Sequence, residues 1–203
     1  MSNPVIDAIK QRRSIRKFIN KPLEKEMLEQ IILAGRYAPS AKNDQPWRFI
    51  VITKPEKIHW LSLQVQQAIK HVLKKRFVLQ FFYKQLRKKE TLAFLYDVAM
   101  APKDEIFFEA PALILILTKK NQFYDESCAC CAQNMMLAAH FLGIGSCWIG
   151  FTSFLNSNRW VLDEIKVPRG YHISAALILG YSNEQSIKVP LRKPIADVIN
   201  WID

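Results

Sequence analysis

The apolar positions change their period several times along the chain, and each change marks an element. Asn3 and Pro4 open a first helix as N-cap and first helical residue, with Val5, Ile6 and Ile9 on its apolar face. Leu23, Met27, Leu28, Ile31 and Ile32 follow a 3.6-residue period and predict a second helix over 23–37, stopped by Pro39 and Ser40. Residues 47–53 are aromatic and β-branched and predict a strand. Residues 56–98 read as helix in two segments, and 111–118 as a buried strand. Residues 124–142 form a long helix that is apolar on nearly every face and ends at Gly143 and Gly145. A helix apolar all round should be buried on all sides, as a central helix or one facing a partner subunit. Short strands at 146–150 and 171–181 flank a brief helix at 158–165, and the tail carries an apolar patch at Ile195, Val198, Ile199, Trp201 and Ile202. The pattern predicts one mixed domain over 1–203 in which helices dominate. Its strands are too few and too scattered for a regular βαβ sheet.

Composition narrows this picture. A chain of 203 residues, 50% hydrophobic, supports a large core. The longest apolar run, Ala110 to Leu117, falls far short of the roughly 18 residues of a membrane helix, and no secretory signal opens the chain. Cys128, Cys130 and Cys131 crowd together, with Cys147 further on, a poor layout for disulfides. They read as buried packing residues of a reducing, cytoplasmic protein.

The net charge of +11 is the unusual number, and it is local. No Asp or Glu occurs between His59 and Lys89, a stretch holding Lys70, Lys74, Lys75, Arg76, Lys84, Arg87, Lys88 and Lys89. A smaller cluster stands at Arg12, Arg13, Arg16 and Lys17. Such clusters suit either a nucleic acid or membrane, or phosphorylated small molecules.

Several chemistries find no motif. Gly143-Ile144-Gly145 lacks the third glycine of a dinucleotide fingerprint, and there is no phosphate-binding P-loop or nucleophile elbow. The four histidines do not cluster, and Cys128-x-Cys130-Cys131 lacks common metal spacing, so no metal site is expected. Four features remain. In extended backbone Arg12, Ser14 and Arg16 share one face, two guanidinium forks and a hydroxyl that can receive a phosphate. Each charged hydrogen bond there is worth about 1.5–3 kcal/mol. Asn43 and Gln45 sit in a loop bracketed by Pro39 and Pro46, with Ser40 beside them, and planar amides suit the edges of a flat heterocycle. Ile149-Gly150 ends a short strand where backbone can approach a ligand. Arg192-Lys193-Pro194 offers a second phosphate clamp.

In this order the features resemble the FMN-binding nitroreductase family, over most of the chain. Arg12-Arg13-Ser14-Ile15-Arg16, the Pro39-Ser40-Ala41-Lys42-Asn43-Asp44-Gln45-Pro46-Trp47 loop, the helix around Ala132 to His140 with the glycines after it, and the closing Arg192 turn carry the likeness. The resemblance implies an α+β fold, a three-layer α/β/α sandwich with a mostly antiparallel sheet, in a homodimer with two FMN at its interface. It implies that Arg12, Arg13, Ser14, Arg16 and Arg192 bind the phosphate and ribityl chain. Pro39, Ser40, Asn43 and Gln45 would line the ring, and Ile149 and Gly150 would set backbone against it. The implied activity is hydride transfer from NADPH or NADH through flavin N5 to a small acceptor such as a nitroaromatic, quinone or free flavin, in a ping-pong sequence, with no protein acid or base. The departure lies at 60–105, a long basic and aromatic insertion that as a lid would set acceptor choice and attract NADPH. The same fold with flavin-destructase-like or dehalogenase-like activity, or as a non-catalytic flavin binder, is an alternative that cofactor motifs cannot separate. A nucleic-acid-binding reading rests on residues 70–89 alone and leaves both motifs unexplained. No nucleic-acid or membrane partner is expected.

Overall fold

The computed structural model describes residues 3–81, 83–184 and 189–202. Asn3 caps α1 (Pro4–Gln11) as its sequence requires, its side chain accepting from the N–H groups of Val5 and Ile6. α2 (Lys25–Arg36) buries Leu28, Ile31 and Gly35. β1 (Arg48–Ile52) leads through Pro55 into α3 (Pro55–Lys74), whose buried stripe runs from Ile58 through Leu61, Val65 and Ile69 to Leu73. The expected pair of helices over 56–98 is instead broken into more pieces. After α3 come the single turn α4 (Arg76–Leu79), a 3-10 turn (Lys84–Arg87) and α5 (Lys89–Met100). The break arises because Leu86 must turn inward to the core, and Arg87 Nε donates to the carbonyl of Gln80 (2.9 Å) to hold the bend.

β2 (Ala112–Lys119) and β4 (Tyr171–Gly180) are the sheet's two central strands, in the order β1-β2-β4-β3 with all pairs antiparallel. α6 (Tyr124–Phe141) connects β2 to β3 (Gly145–Trp148), and a 3-10 stretch (Gly150–Ser157) with α7 (Arg159–Glu164) leads to β4. Alternate residues of the central strands enter two separate cores. Leu113, Leu115, Leu117, Ala176 and Ile178 face α3, α5 and α7. Ala112, Ile114, Ile116, Leu177 and Leu179 face α2 and α6. Helices cover both faces, so β2 reads as a continuous apolar run rather than an alternating one. This is the three-layer α/β/α sandwich with an antiparallel sheet.

Three expectations need correction. Gly150 does not end a strand: β3 stops at Trp148, and Gly150 opens the 3-10 stretch that the sequence pattern missed. α6 is not buried all round. It buries Cys128, Cys131, Ala132, Met135, Met136 and Ala139 but leaves Cys130, Gln133 and Phe141 exposed, because the sheet and α2 cover only part of its circumference. Cys130 is therefore no packing residue, although Cys128, Cys131 and Cys147 are, and all four thiols are free.

Candidate flavin site

The arginine segment begins where α1 ends. The N–H of Arg12 closes the helix on the carbonyl of Ala8 (2.9 Å), and the chain then runs extended along the free edge of β3. Ser14 pairs with Ser146 as a parallel bridge, and the N–H of Ile15 donates to the carbonyl of Ser146 (3.0 Å). Arg13 and Ile15 line one cavity of about 410 Å³ with His140, and Arg16 lines another of about 440 Å³, while Arg12 and Ser14 line neither. Arg13 folds back on its own helix end and donates Nη1 to the carbonyls of Lys10 (2.6 Å) and Arg12 (2.8 Å). Ser14 and Arg16 are exposed, and none of the three arginines joins an ion pair among the described residues. The positive field is felt by His140, whose pKa is lowered by burial first and then by Arg12 and Arg13.

The second cavity is aromatic. Phe94 of α5, Phe108, Trp148 and Phe151 surround it, with Arg16 and Gly150 at its edge. Phe94 and Phe151 pack with ring centres 5.7 Å apart, and the Arg16 guanidinium lies 5.8 Å from the centre of the Phe108 ring. Ile149 is pinned by its N–H to the carbonyl of Ala176 (2.9 Å). A Cβ placed on Gly150 would meet no heavy atom within 4 Å, so the backbone there faces open space. Phe108 owes its position to Asp104. That carboxylate accepts from Ser62 Oγ (2.6 Å) and from the N–H groups of Ile106 (3.0 Å), Phe107 (2.9 Å) and Glu109 (3.2 Å). These bonds hold Phe108 and Glu109 at positive φ of 55° and 52°. Sequence reasoning missed Phe94, Phe108 and Asp104. An Asp closing Pro102-Lys103-Asp104 is a turn signal that marks the loop but not what the loop presents.

The amide loop is built differently. Lys42, Asn43 and Gln45 all have positive φ (53°, 57° and 46°), a conformation costing non-glycine residues of order 1–3 kcal/mol each. The surroundings impose it. Gln45 N–H donates to Ser40 Oγ (3.0 Å), Ala41 N–H to Ser127 Oγ (3.4 Å), and Tyr124 Oη to Asp44 (3.0 Å). Trp47 is buried behind the loop, while Pro39, Asn43 and Gln45 stay exposed and Gln45 Nε2 reaches Asn43 Oδ1 (3.4 Å).

The two motifs do not meet within one chain. The amide loop rests on Tyr124 and Ser127 at the start of α6, whereas the arginine segment lies by His140 at its end, thirteen residues or about 20 Å along the helix. Arg192 lies in an exposed tail, its Nη1 donating to the carbonyl of Pro190 (3.4 Å), and lines neither cavity. Burial pushes the Cys128 and Cys131 thiols up to about 11 and about 12, which removes them as nucleophiles. No cluster of His, Cys, Asp and Glu suited to a metal occurs among the described residues.

Known proteins resemble the chain in sequence and in fold. The Nitroreductase family model matches residues 9–181. The chain is 29% identical to a nitrobenzene nitroreductase of Ectopseudomonas oleovorans, over 90% of this chain and 88% of that protein. A nitroreductase with bound FMN from Bacteroides fragilis has the same fold at TM-score 0.80 and 25% identity, across the whole of both chains. A BluB-like flavoprotein from Clostridium difficile follows at TM-score 0.73 and 25% identity, again across both whole chains. With its opening arginine segment, amide loop and central helix all inside the matched region, the chain belongs to the nitroreductase family.

Proposed function

We propose that the protein is an FMN-dependent oxidoreductase that works as a homodimer and passes electrons from NADH or NADPH to a small, flat acceptor. The single observation that carries this reading is the Arg16 cavity: an unpaired guanidinium, an open backbone edge at Gly150 and three phenylalanines around one space. The residues fit the cofactor. The phosphate needs charge-assisted donors, and Arg12, Ser14 and Arg16 present them on an exposed extended segment. Arg13 Nε and Ser146 Oγ are buried beside that segment with no hydrogen-bond partner among the described residues, so hydrogen-bonding capacity remains there. FMN held there by Arg12, Ser14 and Arg16 would supply the hydride chemistry that links a reduced nicotinamide to the acceptor.

The chain's residues hold, orient and exclude. Ile149 and Gly150 set a rigid backbone edge against the ring, and the absence of a side chain at Gly150 permits close approach. Phe94, Phe108 and Phe151 keep water out of the slot and favour planar acceptors such as nitroaromatics or quinones. Phe94 comes from the 60–105 insertion, which supports that segment as the determinant of acceptor choice. The separation of the two motifs along α6 supports a composite site in which Asn43 and Gln45 come from a second copy. Exposed Val5, Ile6, Ile9 and Phe141 beside α6 supply apolar surface for that copy.

Two measurements test the reading. NADPH added without oxygen to FMN-loaded protein should bleach its yellow colour. Persistent colour would favour a flavin binder of other activity, and failure to take up FMN would end the proposal. For the composite site, a protein with Arg12→Ala and Arg16→Ala is refolded with one carrying Asn43→Ala and Gln45→Ala. Neither alone binds well, but random pairing of equal amounts restores about a quarter of the sites if they span two copies, and none if they do not.

A further inference from the structure

The +11 charge is only partly explained by a flavin site, because the larger basic cluster lies elsewhere. Neither cavity described above is lined by any residue from 70 to 89. None of that segment's lysines or arginines enters an ion pair among the described residues, and no carboxylate lies between His59 and Lys89 to offer one. The segment is nevertheless ordered by its own apolar anchors. Leu73 and Leu86 are buried, and Leu79 packs on the same core. With those three turned inward, the intervening apolar side chains are left outside: Phe77, Val78, Phe81 and Tyr83 are 67%, 63%, 73% and 59% exposed. Arg76 braces the outer surface, its Nη1 donating to Tyr96 Oη (2.5 Å) and its guanidinium lying 4.8 Å from the Phe77 ring centre.

Cations without a carboxylate partner among the described residues, interleaved with projecting aromatic and aliphatic side chains, have one physical counterpart that satisfies both halves at once. An anionic bilayer offers charge to the lysines and an apolar layer to the rings, and reversible anchoring takes two such signals together. A nucleic acid would satisfy the charge but has no use for Val78. Base stacking uses rings set along a groove, whereas Phe77 in α4 and Phe81 and Tyr83 after it line neither cavity.

We propose that residues 74–81 and 83–89 dock reversibly on an anionic lipid surface. Lys74, Lys75, Lys84 and Lys88 lie over the headgroups, and Phe77, Val78 and Phe81 enter the interface. This alters the expectation of no membrane partner. The chain has no apolar run to span a bilayer, and no described helix is long and apolar enough to do so, but surface docking needs neither. The helix that follows the patch, α5, also carries Phe94 into the aromatic cavity, so one element joins the docking surface to the slot.

The test is sedimentation of the full-length protein with vesicles of phosphatidylcholine, alone or mixed with phosphatidylglycerol. It reads binding without turnover, so its result is independent of whether the flavin reading holds. Binding is expected on the mixed vesicles, falling with salt, and not on the neutral ones. Lys74→Glu with Lys75→Glu should weaken it roughly a hundredfold, as two charges are reversed near the surface. Phe77→Ser with Phe81→Ser should weaken it further while leaving the unfolding midpoint unchanged. Lys74→Gln with Lys75→Gln, an intermediate loss, covers a misfolded reversal variant. The proposal is overturned if mixed vesicles do not bind, or if the Phe variants bind them as well as the parent. It is also overturned if the Phe variants instead change the oligomeric state, which would give the patch to a second copy, or if single-stranded RNA binds more tightly than the vesicles.

Discussion

The arginine segment and the amide loop sit at opposite ends of one helix and are held by opposite means. The amide loop is fixed by shape: three residues are held at positive φ by side-chain bonds from α6 and by its own Ser40, and its polar edges are aimed before anything binds. The arginine segment is fixed through its backbone along β3 and by Arg13 folded onto its own helix end, and Arg12, Arg13 and Arg16 join no ion pair among the described residues. Strain stores orientation, whereas unpaired charge stores affinity. A site that needs both a planar ring and a phosphate addressed can place the two devices on separate elements.

The comparison breaks most severely at the charges. Arg12→Ala with Arg16→Ala should weaken FMN binding about 10²–10⁴-fold, as two charged hydrogen bonds are lost, when flavin fluorescence is titrated. An unchanged Kd would show that this segment is not the anion site. The parent's affinity should also fall with salt, and that dependence should shrink in the variant. Gly145→Val comes next. Its Cβ would sit 2.9 Å from Cβ of Ile15, so the segment must leave the β3 edge, an overpacking cost of about 1–3 kcal/mol in urea unfolding. FMN affinity should drop although no arginine has changed, and a variant that keeps full affinity would show that the β3 edge does not position the guanidinium groups. Tyr124→Phe removes one bond to the amide loop, worth about 0.5–1.5 kcal/mol. Acceptor KM should rise several-fold with the salt dependence of FMN binding unaltered, which separates shape from charge.

The smallest effect is on pH. The folded protein lowers the pKa of His140 below its ordinary 6.5, so below that value the unfolded chain takes up a proton that the folded chain resists. Stability should therefore decline as pH falls from about 6.5 towards the folded value, and His140→Gln should flatten that slope. An identical slope in the variant would remove His140 as the cause.

Much of the fold was legible because its signals are local. The cap at Asn3, the 3.6-residue stripe of α2 and the apolar run of β2 each follow from neighbours in the chain. The 3-10 stretch at Gly150–Ser157 was not legible, since nothing in Gly150-Phe151-Thr152 announces a helical turn after a strand. The aromatic cavity was hidden for another reason. Phe94, Phe108 and Phe151 look like core residues in a sequence, and only the packing of α5 against the turn held by Asp104 gathers them around Arg16.

The sequence by itself determined most of the helices and strands, because a period of 3.6 or an uninterrupted apolar strand dictates which faces must be buried; their stacking in three layers came through the family resemblance. It also carried the motifs that mark the family, whose model matches residues 9–181. What only the tertiary structure decided was who stands next to whom. The arginines and the amides belong to opposite ends of α6, and Gln45 can be held in a strained conformation only because Ser40 is there to receive its N–H. Distances between segments far apart in the chain are set by the packing of whole elements, which no local pattern encodes.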